Sequence, residues 1–136
     1  MTMHRAILAA WVAAAPLVTT TASSATTHHI APDGSGDYPT IQAAIDAAAS
    51  GDEIVLADGT FTGDGNWDLN FGIKDLVLRS ERGYEATTID CGCVDGPNWS
   101  KHRGIMLEGP QTEATRIEGI TVQSSLQSTN WKWLPT

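Results

Sequence analysis

Residues 31–56 read A-P-D-G-S-G-D-Y-P-T-I-Q-A-A-I-D-A-A-A-S-G-D-E-I-V-L. Three signals follow one another in this stretch. Pro32-Asp33-Gly34-Ser35-Gly36-Asp37 is a run of turn formers. Ile41, Ala44, Ile45 and Ala48 then fall at i, i+3, i+4 and i+7, which is one stripe of a helix. Thr40 is placed to cap that helix, Pro39 restricts the chain before it, and Gly51 fits the left-handed position after its end. So short a helix is marginal alone and must dock. Its small alanines suit a close approach to a flat apolar surface. Glu53-Ile54-Val55-Leu56 begins that surface as a strand.

Working outward, Ile54-Val55-Leu56 recurs as Leu76-Val77-Leu78, 22 residues on. Short strands repeating at roughly 20–30 residues, joined by tight turns, mark a solenoid. Further strand candidates are Thr60–Thr62, Leu69–Phe71, Thr87–Cys91, Gly104–Leu107, Thr115–Glu118 and Ile120–Val122, with Gly, Asp, Asn and Ser at the joints. Residues 92–103 read as a loop insertion within one long coil, and Thr26–Ile30 as an extended lead-in. The pattern predicts an all-β chain of about two to three β-helical coils, each strand pairing in parallel with its equivalent one coil away, under a short N-terminal capping α-helix. A small β-sandwich is the alternative that regular short strands allow. The echo of I-V-L in L-V-L, directly after the amphipathic helix, favours the solenoid.

The chain has 136 residues and a net charge of −8, enough for one domain. Lys74, Arg79, Arg82, Lys101, Arg103, Arg116 and Lys132 are scattered, which argues against nucleic acid as a partner. Residues 1–25 have the layout of a secretory signal peptide. A basic start (His4-Arg5) leads into the apolar run Ala6–Ala15, and small residues end it, with cleavage expected after Ala25 or, alternatively, Ala22. That run is too short to anchor in a bilayer, and no other stretch offers a membrane segment. The mature chain is therefore expected to be secreted, in the extracellular space, on the cell surface or in the periplasm. Residues 26–123 form the expected fold, and 124–136 an irregular tail that breaks the pattern, as a truncation product would.

At this point the residues carry a resemblance. A-P-D-G-S-G-D-Y-P-T-I-Q-A-A-I-D-A-A, then G-D-E-I-V-L and D-G-T-F, with the later T-T-I-D-C-G and I-E-G-I-T-V, resemble the N-terminal region of right-handed parallel β-helix proteins of the pectin-lyase-like superfamily. The opening is similar to that of pectin methylesterases. The resemblance spans about residues 30–122. It implies a right-handed coil and a helix that closes the N-terminal end of the core. It implies no activity, since one fold hosts many functions. Where the methylesterase pattern has a tyrosine and a glutamate, this chain has Phe61 and Gly63, and the family's catalytic aspartates, glutamines and arginine find no match. A last coil left uncovered would invite self-association.

Few residues point to chemistry. Asp64-Gly65-Asn66-Trp67-Asp68 matches the first half of a calcium loop, making Asp64, Asn66 and Asp68 the candidate Ca2+ ligands. Leu69 then stands where that loop needs glycine, Asp75 stands where it needs glutamate, and a β-turn would choose the same polar residues. Trp67 and Trp99 are candidate carbohydrate contacts, as loop aromatics that could stack on sugar rings; Trp131 and Trp133 lie in the tail. A lyase would need a cation or a basic group beside a carboxylate, which Asp90, Glu108 or Glu118 with Arg79, Arg103 or Arg116 could supply, though their spacing selects none of them. His28 and His29 point to opposite faces of a strand and do not share an ion. Cys91 and Cys93 are open to three readings: core or turn thiols, a strained local disulfide, or a metal site with His102. The expectation is an exported β-helical segment without an active site of its own, from a protein that binds extracellular polysaccharide or builds a surface structure. The alternative is the N-terminal part of a polysaccharide lyase or pectin methylesterase.

Overall fold

The computed structural model describes residues 24–92 and 102–124. Residues 1–23, which hold most of the expected signal peptide (1–25), together with Cys93, Trp99 and the chain from residue 125, with Trp131 and Trp133, lie outside the described residues. Among the described residues nine strands and one helix run in the order β1 (Thr27–Ile30), α1 (Ile41–Ala47), β2 (Glu53–Leu56), β3 (Gly59–Phe61), β4 (Leu69–Asn70), β5 (Val77–Ser80), β6 (Thr87–Asp90), β7 (Ile105–Met106), β8 (Arg116–Glu118) and β9 (Thr121–Gln123). They form three sheets, ordered β1-β2-β5-β8, β3-β6-β9 and β4-β7. Every ladder is parallel. From β2 onward the chain visits the first, second and third sheets in a fixed cycle and repeats it. No described helix is long and apolar enough to cross a membrane.

The register explains the burial. Ile54 pairs with Leu78 and Leu56 with Ser80, so the 22-residue echo slides by two positions and Ile54 does not face Leu76. Strand side chains alternate with a period of two, so this slip keeps the same residues inward. Ile54, Leu56, Phe61, Leu69, Leu78 and Ile89 all enter one core, with Phe71, Leu76 and Cys91 beside them. The lead-in is itself a rung, since Thr27 to Ile30 pair with Glu53 to Leu56.

Helix α1 closes this core through Ile41, Ala44 and Ile45, with Ala48 just beyond. Its first turn is fully satisfied. The Ile41 amide donates to Asn66 Oδ1 at 3.0 Å, that of Gln42 to the Gly65 carbonyl at 2.8 Å, and that of Ala43 to Thr40 Oγ1 at 3.2 Å. Thr40 is the N-cap, as its position suggests. The C-terminus differs: Ala48 is the cap with an extended backbone, and Gly51 (φ +98°) lies in the turn beyond it. The helix stops early because Asp52 draws the chain away: its carboxylate accepts from the Ala49 and Thr26 amides, both at 2.8 Å, and lies 3.3 Å from His28 Nε2. Lys74 Nζ donates to the Ile45 and Asp46 carbonyls, each at 2.8 Å, setting a cation at the negative end of the helix.

The free edge of β1 is covered as well. Asp37 returns to it, donating its amide to the His29 carbonyl (2.7 Å) while its carboxylate accepts from the His29 amide (2.7 Å). An open strand edge is a template for aggregation, and the Asp33–Asp37 turn removes part of this one. Gly36 permits the approach, since a Cβ there would run into the backbone of residues 29–31.

Candidate functional site

Two polar clusters emerge from this scaffold. The first lies on the outward face of β2, β5 and β8. Two in-register rows run across it: Glu53, Val77 and Arg116, then Val55, Arg79 and Glu118. Between them and the turns at Gly51, Asp75 and Ala114 opens a shallow groove of about 540 Å³. Arg79 Nε donates to Glu53 Oε1 at 2.5 Å, and Glu53 Oε2 lies 3.3 Å from Thr27 Oγ1. This guanidinium holds the Glu53 carboxyl below the usual carboxylate range, and Glu53 in turn pushes Arg79 further up. Arg116 lies 3.8 Å from Glu118 in a more exposed pair. Asp75 sits at one end, its carboxylate taking the Thr112 amide and the Thr112 and Thr115 hydroxyls, all at 2.8 Å. Those donors, the Thr112 amide foremost, keep it ionised below the ordinary range.

Of the six groups that could serve a lyase, this face gathers Arg79, Arg116 and Glu118. The others are elsewhere. Glu108 accepts from Asn70 Nδ2 (2.9 Å), Arg103 lies near the Met106 sulfur (3.7 Å), and the buried Asp90 holds the Gly92 amide at 3.0 Å. Glu53 and Asp75 complete the groove and were not singled out by sequence. For Glu53 the signal is the strand alternation itself, which puts Glu53, Arg79, Arg116 and Glu118 on the face opposite Ile54 and Leu78; Asp75 lies before β5 and has no such signal.

The second cluster is the turn before β4. Asp68 has a left-handed backbone (φ +50°), and its carboxylate accepts from the Arg103 amide at 2.7 Å and lies 2.8 Å from His102 Nδ1. The hydrogen bond from His102, then that from Arg103, draws the Asp68 carboxyl below its ordinary range. Trp67 stacks on the His102 ring with centroids 4.4 Å apart and planes 20° from parallel. It also packs on the core, close over Gly92, where a Cβ would meet the indole at 2.8 Å.

In the candidate calcium loop, Asn66 and Asp68 hold partners within the protein. Asn66 is buried, and both ends of its amide are engaged: Oδ1 takes the Ile41 amide and Nδ2 donates to the Thr62 carbonyl at 2.9 Å. Asp68 serves His102 and Arg103, and Asp64 stays in the turn. Among the described residues no three His, Cys, Asp or Glu side chains gather as metal ligands. Cys91 is buried in the core.

Chemically, the sheet face offers fixed guanidinium and carboxylate groups on a rigid ladder, suited to hydrogen-bonding hydroxyls. The turn offers an aspartate-oriented imidazole whose flat side is covered by indole. No protein-family model, curated protein or solved structure matches the chain.

Proposed function

We propose that residues 26–123 form the first coils of an exported right-handed parallel β-helix of the pectin-lyase-like type. Its outward sheet face binds extracellular polysaccharide and has no catalytic centre of its own. The observation that carries the architecture is the strand cycle: three parallel sheets visited in turn, with α1 closing the core at one end. The observation that carries the ligand class is the ladder of Glu53, Arg79, Arg116, Glu118 and Asp75 along one groove. Three carboxylates against two guanidiniums leave that groove slightly negative, and the whole chain is at −8. Like charge disfavours a polyuronate. A neutral, hydroxyl-rich chain fits better, because its hydroxyls both donate to carboxylates and accept from arginines.

The test is affinity electrophoresis of the mature chain in gels cast with arabinan, xylan, mixed-linkage β-glucan or polygalacturonate. Retardation in a neutral polymer, lost in the R79A/R116A double variant with the fold intact by circular dichroism, is expected. Equal mobility in all four gels overturns the binding reading. Release of unsaturated or de-esterified products from pectin or polygalacturonate overturns the non-catalytic one and favours the N-terminal part of a lyase or esterase.

A further inference from the structure

Asp52 is 5% exposed, and its two carboxylate oxygens have different partners. Oδ1 accepts from the Thr26 nitrogen at 2.8 Å. Oδ2 accepts from the Ala49 amide at 2.8 Å and lies 3.3 Å from His28 Nε2. The Asp52 carbonyl takes the Val77 amide at 3.1 Å. One residue therefore ties the start of β1, the exit of α1 and the ladder between β2 and β5. Its carboxyl is drawn below the ordinary range, by the Thr26 hydrogen bond first and that of Ala49 second, so it carries its charge at neutral pH.

Thr26 is also where the hydrogen-bonded fold begins. Its carbonyl accepts from the Glu53 amide at 2.8 Å, which fixes its nitrogen beside Asp52. Ser24 and Ala25 before it are exposed and lie outside every strand. In the sequence, Ser23 and Ala25 are the small residues that a leader peptidase selects before the bond it cuts. Two independent readings thus meet at the Ala25–Thr26 bond: the leader is expected to end on one side of it, and the fold starts on the other.

Cutting that bond changes the chemistry at Asp52. A signal peptidase adds water across it, and the hydroxyl goes to the Ala25 carbonyl carbon. The electron pair of the broken C–N bond stays on the Thr26 nitrogen, which gains one proton from the water and one from the new Ala25 carboxyl. An α-amine with an ordinary pKa of about 8 is mostly an ammonium at pH 7. It sets a full positive charge where the amide offered only a dipole, and charge-assisted hydrogen bonds are the strong ones. The neighbouring Glu53 carboxylate is already engaged by Arg79 and Thr27.

We infer that Asp52 is the binding site for a new N-terminus: removal of the leader turns the Thr26 nitrogen into an ammonium, which this buried carboxylate holds. The fastening of β1 to the exit of α1 is complete only once the leader is gone. The inference rests on the chain being exported, as proposed above, and it assigns Asp52 a role apart from the polysaccharide groove.

Two measurements test it. The full chain is expressed in a secreting host, and the first residue of the exported product is read by intact mass. Thr26 is expected. A product beginning at Ser23, as cleavage after Ala22 would give, overturns the inference and leaves export standing; a chain retained with its leader overturns both. Residues 26–136 and 23–136 are then prepared and compared. The shorter chain is expected to melt about 4 °C or more higher. Its α-amine is expected to be acylated at pH 7.5 roughly tenfold more slowly, because pairing keeps it protonated. Equal melting or equal reactivity overturns the inference. Asp52→Asn is expected to abolish both differences, and a difference that persists in that variant overturns Asp52 as the holder. The comparison of lengths needs no substitution, so it stands whether or not the variant folds.

Discussion

Replacing Asn66 by alanine tests the joint between the helix and the stack. Asn66 is 6% exposed and links the first amide of α1 to the Thr62 carbonyl. The substitution removes two buried hydrogen bonds, each worth about 1 kcal/mol net, and leaves the Ile41 N–H without its acceptor, a further cost of about 1–3 kcal/mol. The sum is about 3–5 kcal/mol, less whatever a water entering the vacated space restores, so a loss of about 2–4 kcal/mol is expected. That is a large part of the roughly 5–15 kcal/mol that holds a domain of this size. Asn66→Asp should also destabilise, because it keeps the acceptor toward Ile41 but sets a buried carboxylate oxygen against the Thr62 carbonyl. The assay is urea unfolding of residues 26–136 followed by circular dichroism, run with and without EDTA. A loss under about 1 kcal/mol for Asn66→Ala would refute the claim that this side chain caps the helix. A midpoint lowered by EDTA in the parent chain would show that a cation, and not this hydrogen-bond pair, holds the turn.

Three further outcomes follow from the same geometry. Leu78→Ala, fully buried between Ile54 and Ile117, should cost about 2–5 kcal/mol in the same urea assay, and Ile117→Ala distinctly less because its side chain is 40% exposed. Gly65 has φ +86°, and a Cβ there would lie 2.8 Å from Thr40 Oγ1, so Gly65→Ala should displace the N-cap and lower the melting temperature, while Gly63→Ala, at similar φ with open space around it, should suffer only the backbone strain. Asp52, Glu53, Asp68 and Asp75 all have carboxyls held below their ordinary values. A depressed folded-state value means stability that is present at neutral pH and disappears as pH falls through that value. Melting temperature should therefore hold from pH 7 down to about pH 5 and fall below about pH 4, and Asp52→Asn should flatten that acid limb while lowering the melting temperature at pH 7.

What was legible in the sequence was whatever depends on local periodicity. The stripe Ile41, Ala44, Ile45, Ala48, the cap at Thr40 and the alternation in Glu53–Leu56 each reflect one element meeting one surface, and the structure places them so. Register was less legible. Sequence similarity aligns Ile54 with Leu76, but the ladder pairs Ile54 with Leu78, two residues further on. The lead-in Thr27–Ile30 pairs as a rung but shows no strong apolar run that would mark one, because His28 and Thr27 occupy positions that later strands fill with apolar or paired side chains. Gly51 fits a left-handed residue at a helix end and has that conformation, but it stands three residues after Ala48, which has already left the helix.

The candidate site shows the same division. Asp64, Asn66 and Asp68 were singled out by their spacing along the chain, and spacing says nothing of the partners that reach in from elsewhere. Ile41 is 25 residues from Asn66 in sequence, and His102 is 34 from Asp68. Those distant groups engage two of the three, Asn66 fastening the helix and Asp68 the segment before β7. The charged ladder on β2, β5 and β8 is the reverse case. Glu53, Arg79 and Glu118 are unremarkable one at a time, each an outward residue of a short strand. They become a surface only when parallel pairing stacks them, because in-register strands lie about 4.8 Å apart and repeat whatever each coil presents. In such an architecture the inward positions are constrained coil by coil to be apolar, whereas the outward ones are free to vary. A binding face is therefore written in the differences between rungs, which a search for repeats is designed to ignore.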